Sequence, residues 1–388
     1  MRRIIFLFLL DLLISGAVAV YFDAELMTWL TIFIAFSPIC FVFAEPVAIY
    51  LVRRKFAALD VKFNNPDALK VLADVNVVAM PYNRVLTCNE YYITDLVTEG
   101  LKQSELLTIA ASAERDSQHI IGRTIYDAAV SRRLKLQKLS ETEELQGRGV
   151  ETIIKKIVVR VGSPGWIASQ NVSVSINLRT KIDQLLVKGK TTLLVSTGRL
   201  ARGIIALKDE INAGAKIFLL TLKQKKIESL LLTAQPKKMA YRIAKDFELD
   251  HIRTNLTPEG KAREIQIFRA KGKAIAAIGT DLQDLLALKS SDVSFLLTDG
   301  ATELPAEFCA DFEITTLESF LTVRELALKV GKILKINRWL ALLSWIVLVP
   351  PAFLSALETS PITFNLLMAA AGVTIFSVMI LLNSSRIN

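Results

Sequence analysis

Four apolar stretches, two at each end of the chain, constrain what this polypeptide can fold into more than anything else in it. They run from Ile4 to Phe22, from about Leu26 to Leu51, from Trp339 to Leu357 and from about Ile362 to Leu382. Crossing the hydrocarbon core of a bilayer takes ~20 apolar residues in an α-helix. Backbone N–H and C=O groups meet no water there, so each stretch is predicted to be a helix that satisfies its own hydrogen bonds. Paired in sequence, the stretches make two hairpins, and the charged segment between them, roughly residues 52–337, is expected to be soluble. The 388-residue chain is 52% hydrophobic with a mean hydropathy of +0.40, which argues against disorder and against an ordinary soluble enzyme.

The flanking charges orient the hairpins. Arg2, Arg3, Arg53, Arg54, Lys55, Lys329, Lys332, Lys335, Arg338 and Arg386 fall on one side, and Asp23, Glu25 and Glu358 on the other. Positively charged flanks stay in the cytoplasm, so the expectation is an integral membrane protein with four spans, both termini and the soluble domain being cytoplasmic. The first span is read as a retained helix and not a signal peptide. Asp11 interrupts its apolar run, and a second span follows at once. The net charge of +9 is then explained by membrane flanks. The partners expected are the lipid bilayer and either another membrane protein or a second copy of the chain, with no nucleic acid. Cys40, Cys88 and Cys309 lie too far apart in sequence for a disulfide framework, and two histidines, His119 and His251, leave little for a zinc site.

After Gly189 the soluble segment alternates strand and helix. Apolar runs at Thr192–Val195, Ser229–Thr233, around Ile252, at Lys273–Ile278 and at Asp292–Leu297 are separated by helices at Lys237–Asp246, Thr257–Ala270 and Leu282–Lys289. Pro258 suits the first turn of its helix, where no amide donor is needed. This order implies a parallel, doubly wound sheet, with Val75–Met80 as a further strand. Between that strand and Gly189 the texture changes to a helix pair, Ser104–Ala113 and Ile121–Arg132, followed by short strands such as Thr152–Val161. This is read as a second domain inserted into the first.

Two glycine motifs fail as phosphate cradles. Gly189-Lys190-Thr191 lacks the earlier glycine of a phosphate loop, Gln184 standing there, and Gly147-Arg148-Gly149 lacks the third glycine of a dinucleotide fingerprint. Asp11 and Glu45 are more informative. Each lies eight residues from a cytosolic arginine, Arg3 or Arg53, which at ~1.5 Å per residue is ~12 Å deep. An ionisable group at such depth costs at least ~2.5 kcal/mol unless it is paired or wetted. Either the two face each other or a polar cavity and share a proton, or each bonds locally to a hydroxyl or a freed carbonyl. Pro38 and Pro46 remove two amide donors, so the second span is expected to be broken between them, with Ser37, Ile39 and Cys40 at the break.

In its layout the chain resembles the C-terminal half of a P-type ATPase, and most closely the heavy-metal-transporting branch. Gly198–Gly214 resembles the stretch leading into the phosphorylation domain, and Asn255–Lys261 nearly repeats a family pattern whose lysine, here Lys261, neutralises phosphate. Glu114 and His119 match the acid and histidine placed around adenine; Gly147, Gly149 and Gly162 match pocket glycines. The resemblance implies α-helical membrane hairpins plus an α/β part: a haloacid-dehalogenase-like parallel sheet domain with an inserted α+β nucleotide-binding-like domain. The domains expected are a hairpin at 1–55, the phosphorylation-like domain at 56–94 and 191–334, the nucleotide-binding-like domain at 95–190, and a hairpin at 335–388.

The sequence departs from the family at the positions that carry the chemistry. Where relatives have the phosphorylated aspartate, this chain has Pro81, which offers no nucleophilic oxygen. Thr233-Ala234-Gln235 replaces Thr-Gly-Asp, and Thr280 stands at a metal-binding aspartate, with Asp281 one position off and Asp284 retained. Ser37-Pro38-Ile39 replaces Cys-Pro-Cys, removing soft-metal ligands. The family's N-terminal helices and its dephosphorylating actuator domain have no counterpart in this sequence. The resemblance thus implies a chain that is not an enzyme and acts as a scaffold, accessory subunit or nucleotide-responsive regulator of a membrane complex. ATP would be held without hydrolysis by Glu114, His119, Gly147, Gly149 and Gly162, with no metal site and no magnesium-dependent catalysis. The alternative is a divergent cation-transporting half-pump completed by another chain.

Overall fold

The computed structural model describes residues 2–21, 24–140, 142–145, 149–298, 305, 308–356 and 363–387. The chain divides into two compact units, residues 1–74 with 309–388, and residues 75–308.

The first unit begins with α1 (Arg2–Tyr21), α2 (Leu26–Phe36) and α3 (Ile39–Ala57), followed by β1 (Lys62–Phe63) and α4 (Pro66–Leu72). The expected break in the second span falls at Ser37-Pro38 alone, and α3 continues through Pro46. Pro38 has no amide to give; Ser37 N closes α2 on Ile34 O at 3.2 Å, and Val42 N restarts the ladder on Pro38 O at 3.0 Å.

The second unit opens with β2 (Val77–Met80), β3 (Thr87–Thr98), α5 (Gln103–Ala113), α6 (Ile120–Ser131), β4 (Thr142–Leu145), β5 (Gly149–Ile154) and β6 (Ile157–Gly162). It continues through α7 (Pro164–Ser169), α8 (Ile176–Val187), β7 (Thr191–Thr197), β8 (Leu200–Ile211), α9 (Ala213–Gln224), β9 (Glu228–Leu232) and α10 (Lys237–Phe247). It closes with β10 (His251–Arg253), α11 (Pro258–Ala270), β11 (Ile275–Gly279), α12 (Leu285–Ser290) and β12 (Val293–Leu297). The chain then returns to the first unit with β13 (Phe312–Ile314), which pairs antiparallel with β1, and the helices α13 (Leu317–Ala356) and α14 (Leu366–Ser385).

In the second unit, strands β12, β11, β2, β9 and β10 lie side by side and parallel. Their nearly continuous apolar composition is what a sheet buried on both faces requires. The neighbouring sheet, ordered β3-β8-β7-β6-β5-β4, is antiparallel throughout. One face packs on α5 and α6 through Leu106, Ala110, Ile125, Val150 and Val161. The other packs on α7 and α8 through Trp166, Leu178, Ile182, Leu194 and Ile204. Thr192–Val195, read in the sequence as part of the parallel alternation, belongs instead to β7 of the antiparallel sheet. A short apolar run encodes a buried strand but not the direction of its neighbours.

Among the described residues, three helical stretches are long and apolar enough to cross a membrane: Leu26–Ala57, Leu317–Ser355 and Leu366–Ser385. The first of the four expected spans contributes Phe6–Tyr21, an apolar helix of shorter length. A common core of Ile32, Ala35, Ala44, Ala341, Leu348, Ala369, Val373 and Ile380 joins the membrane helices. Half of these are alanines, as expected where lipid gives no hydrophobic drive and helices associate by close packing. Gly372 sits where an added Cβ would meet Leu348 Cδ2 at 2.3 Å. Asn337 supplies polar glue, donating to Ala44 O at 3.1 Å and to Ser384 Oγ at 2.9 Å while accepting from Asn383 at 2.8 Å.

Candidate functional site at the parallel sheet edge and the α5–α6 junction

Parallel strands end together, and the chemistry-bearing positions follow those ends. Val77–Met80 of β2 registers with Glu228–Leu231 of β9 and, through Ala79, with Ala277 of β11. Pro81, Thr233 and Thr280, each the first residue after its strand, therefore lie at nearly one level along the carboxyl edge. Thr233 is buried; its amide donates to Arg253 O at 3.0 Å and its Oγ1 accepts from Gln235 N at 3.1 Å. Thr257 caps α11, its hydroxyl accepting from Gly260 N at 3.2 Å with Pro258 in the first turn. This cap aims Lys261 at the edge.

There Lys261 Nζ donates to Asp284 Oδ1 at 2.7 Å, with side chains only 8% and 4% exposed. Thr280 completes the group, its amide and hydroxyl both donating to Asp284 Oδ2, at 3.0 and 3.3 Å. The structure thus brings Lys261, Thr280 and Asp284 into one hydrogen-bonded cluster. Pro81 is buried at the end of β2. Asp281 turns the other way to cap the following turn, accepting from Gln283 N at 2.9 Å. Desolvation holds its carboxyl above the usual aspartate range, helped by Asp284 and opposed by Lys261 and Arg84. Sequence reading missed Asn83, whose amide oxygen is buried two residues beyond Pro81 without a hydrogen-bond partner. Nothing in a lone asparagine after a strand signals that burial.

The donors at this edge do not fit a resident divalent cation. Among the described residues no three His, Cys, Asp or Glu side chains gather as metal ligands, and Asp284 is already committed to Lys261 and Thr280.

At the α5–α6 junction Glu114 caps the end of α5 and is buried, whereas His119 is exposed and caps the start of α6. The imidazole Nδ1 accepts from Ile121 N at 3.2 Å, and the His119 amide donates to Ser117 Oγ at 3.2 Å. A Cβ on Gly122 would meet Glu114 Oε2 at 2.4 Å, so that glycine lets the carboxylate lie against α6. A surface hollow beside the junction is lined by Arg115, Asp116, Gln118, Arg123, Tyr126 and Asp127. Gly149 and Gly162 face each other across β5 and β6. A Cβ on Gly149 would meet Val161 O at 2.2 Å and the Trp166 ring at 2.8 Å, on the α7–α8 side of the sheet. Strand packing alone therefore requires that glycine, and the structure does not join it to Glu114 and His119. Gly147 lies outside the described residues.

The two intramembrane acids do not pair with each other. Glu45 is bridged to Lys70 at 2.5 Å and lies 3.9 Å from Arg338, with its side chain 38% exposed. Asp11 is 2% exposed, and neither of its oxygens has a partner. At the helix break, Cys40 Sγ lies 3.7 Å from Ser377 Oγ and 3.9 Å from Val373 O, and Trp345 Nε1 donates to Ser37 O at 3.3 Å. The break is packed by these side chains.

Comparison with known proteins fixes the ancestry. Residues 85–292, more than half of the chain, match the haloacid dehalogenase-like hydrolases. Copper-transporting ATPase 2 of Rhizobium meliloti (strain 1021) is 29% identical over 89% of this chain and 42% of its own length. A probable copper-exporting P-type ATPase of Archaeoglobus fulgidus is 27% identical over 84% of this chain and 40% of its own. The chain thus spans well under half the length of these relatives. Among solved structures, a zinc-transporting PIB-type ATPase in the E2.Pi state superposes with a TM-score of 0.69 at 24% identity, covering 98% of this chain and 62% of that one. A catalytic CPx-ATPase domain studied for conformational changes upon nucleotide binding covers 70% of this chain and 97% of that one, at a TM-score of 0.54 and 18% identity.

These relatives overturn one expectation. The chain was expected not to be an enzyme because of Pro81, yet the proteins it matches over most of its length are named as ATPases, and its matched domain as a hydrolase. One residue type at one position does not outweigh that kinship, and the same relatives lend no support to an absence of magnesium-dependent catalysis. With its membrane helices, its parallel sheet and its antiparallel insertion, the chain is an integral membrane protein of the haloacid dehalogenase-like hydrolase family, standing with the heavy-metal-transporting branch of the P-type ATPases.

Proposed function

We propose that this protein is a nucleotide-responsive subunit of a membrane complex, taking an adenine nucleotide at the α5–α6 junction of its antiparallel-sheet domain. The observation that carries the reading is the junction itself: a buried carboxylate, Glu114, at the end of α5 and an exposed imidazole, His119, at the start of α6. An imidazole gives a base a stacking surface, and a helix start offers amide donors to a polar edge. The likeness of this domain's fold to a CPx-ATPase catalytic domain supports the reading. Gly149 and Gly162 serve it indirectly, by letting β5 and β6 close on Trp166. The cluster of Lys261, Thr280 and Asp284 then braces the carboxyl edge of the neighbouring sheet.

The basic end of α3 and the lysines of α13 support a cytoplasmic placement of this domain, with both termini on the same side and four spans in all. The partner is another membrane protein or a second copy of the chain. Isothermal titration of the full-length protein in lipid nanodiscs tests nucleotide uptake. Saturable heat with ATP, weakened at least about tenfold, ~1.4 kcal/mol, by His119→Ala, supports the reading. Absence of heat at millimolar nucleotide, roughly −4 kcal/mol of binding free energy, discards it. The half-pump alternative calls for a hydroxylamine-labile phosphorylated band from radiolabelled ATP.

A further inference from the structure

We infer that Asp11 is a proton-binding site inside the membrane bundle, independent of nucleotide uptake. Asp11 lies midway along α1 among lipid-facing neighbours: Leu9, Leu10, Leu12 and Leu13 are all exposed apolar side chains, while Asp11 is 2% exposed. Its carboxyl is therefore turned from the lipid toward the protein, and both oxygens are buried without a hydrogen-bond partner. Ser15, one turn further and fully buried, sends its hydroxyl to Leu12 O at 3.3 Å and not to the acid.

Hairpin geometry locates the site. Asp11 is ten residues from the end of α1 at Tyr21, and Phe36 is ten residues from the start of α2 at Leu26. At ~1.5 Å per residue both lie ~15 Å from the turn. Asp11 is thus level with the place where Pro38 interrupts the helix ladder.

Among the described residues, the charged and titratable groups around it offer no ion pair. α2, packed on α1, carries none between Leu26 and Phe36, and α14 carries none between Leu366 and Ser385. On α3, Glu45 is bridged to Lys70, and Cys40 rests against Ser377; on α13, Arg338 lies beside Glu45. An ionised carboxylate left there would meet the full cost of burial in a medium of low dielectric. A metal ion would need several donors at once, and among the described residues no such group exists. A proton needs only one oxygen. The carboxyl therefore carries a proton in this state and releases it only when the α1–α2 hairpin opens to water or a cation enters.

A hydrophobic carbodiimide tests this in the full-length protein in nanodiscs. The reagent adds across a protonated carboxyl, its nitrogen taking the acid proton and the acyl group ending as a stable N-acylurea. At pH 7 an ordinary aspartate is protonated about one time in a thousand. Mass spectrometry is expected to find the adduct at Asp11 and not at Glu45, and to lose it in Asp11→Asn. Where the reagent does not reach the site, the infrared carbonyl band of a protonated carboxyl, present in the native protein and lost in the same variant, supports the proposal. Absence of both adduct and band overturns it.

Discussion

Lys261 and Asp284 show how a short-range bond fixes a buried charge. The pair is nearly closed off from water, and Thr280 fills the second oxygen of the carboxylate. Removing one partner strands the other, so Asp284→Ala is expected to cost about 3–5 kcal/mol, read from chemical denaturation of the full chain. The double variant Lys261→Met/Asp284→Leu is expected to recover most of that loss, because no buried charge remains. A double-mutant cycle with additive losses contradicts the pairing. Gly149→Ala is expected to destabilise by about 1–3 kcal/mol through overpacking, since the new methyl meets the Val161 carbonyl and the Trp166 ring. Lys261 and Asp284 were legible in sequence as remnants of two separate motifs, but their bond to each other was not. The partner of Glu45 was not: Lys70 comes from a helix beyond the next turn, and no spacing rule joins the two. The break at Pro38 was legible from proline chemistry, but the continuity of α3 through Pro46 depends on the neighbouring helices.

Elements in this fold are held in register by cross-strand pairs. Lys190, just before β7, reaches Asp95 of β3 at 2.5 Å across β8, and Thr94 donates to the same carboxylate oxygen at 2.7 Å. The Lys190 hydrogen bond, then that of Thr94, holds the Asp95 carboxyl below its usual range. A depressed carboxylate contributes stability that is present above its unfolded value of about 3.9 and is lost as the pH falls through the folded one. Lys190→Met is expected to flatten the acid-side decline of stability, measured as melting temperature against pH, while leaving neutral and alkaline behaviour little changed. An unaltered acid slope contradicts this. The strands themselves were legible from apolar runs, and the helix pair of the insertion matches α5 and α6 closely. The assignment of β7 to the antiparallel sheet was not legible, because sheet membership is decided by contacts distant in sequence.

At the scale of the molecule, membrane helices accompany a haloacid-dehalogenase-like domain with an antiparallel insertion, and the chain resembles proteins named as copper-transporting ATPases over less than half of their length. The order of these parts was legible from hydropathy and strand–helix alternation alone. What those patterns did not carry was the character of the candidate site, because burial and partnership at Glu114, His119 and Asp284 arise only when distant segments meet. The proposed function rests on the α5–α6 junction taking an adenine nucleotide. Calorimetric titration of ATP into the full-length protein in nanodiscs, alongside its His119→Ala variant, measures it directly. Saturable binding that weakens at least about tenfold in the variant is the predicted result; equal heats from both proteins, or none from either, would contradict it.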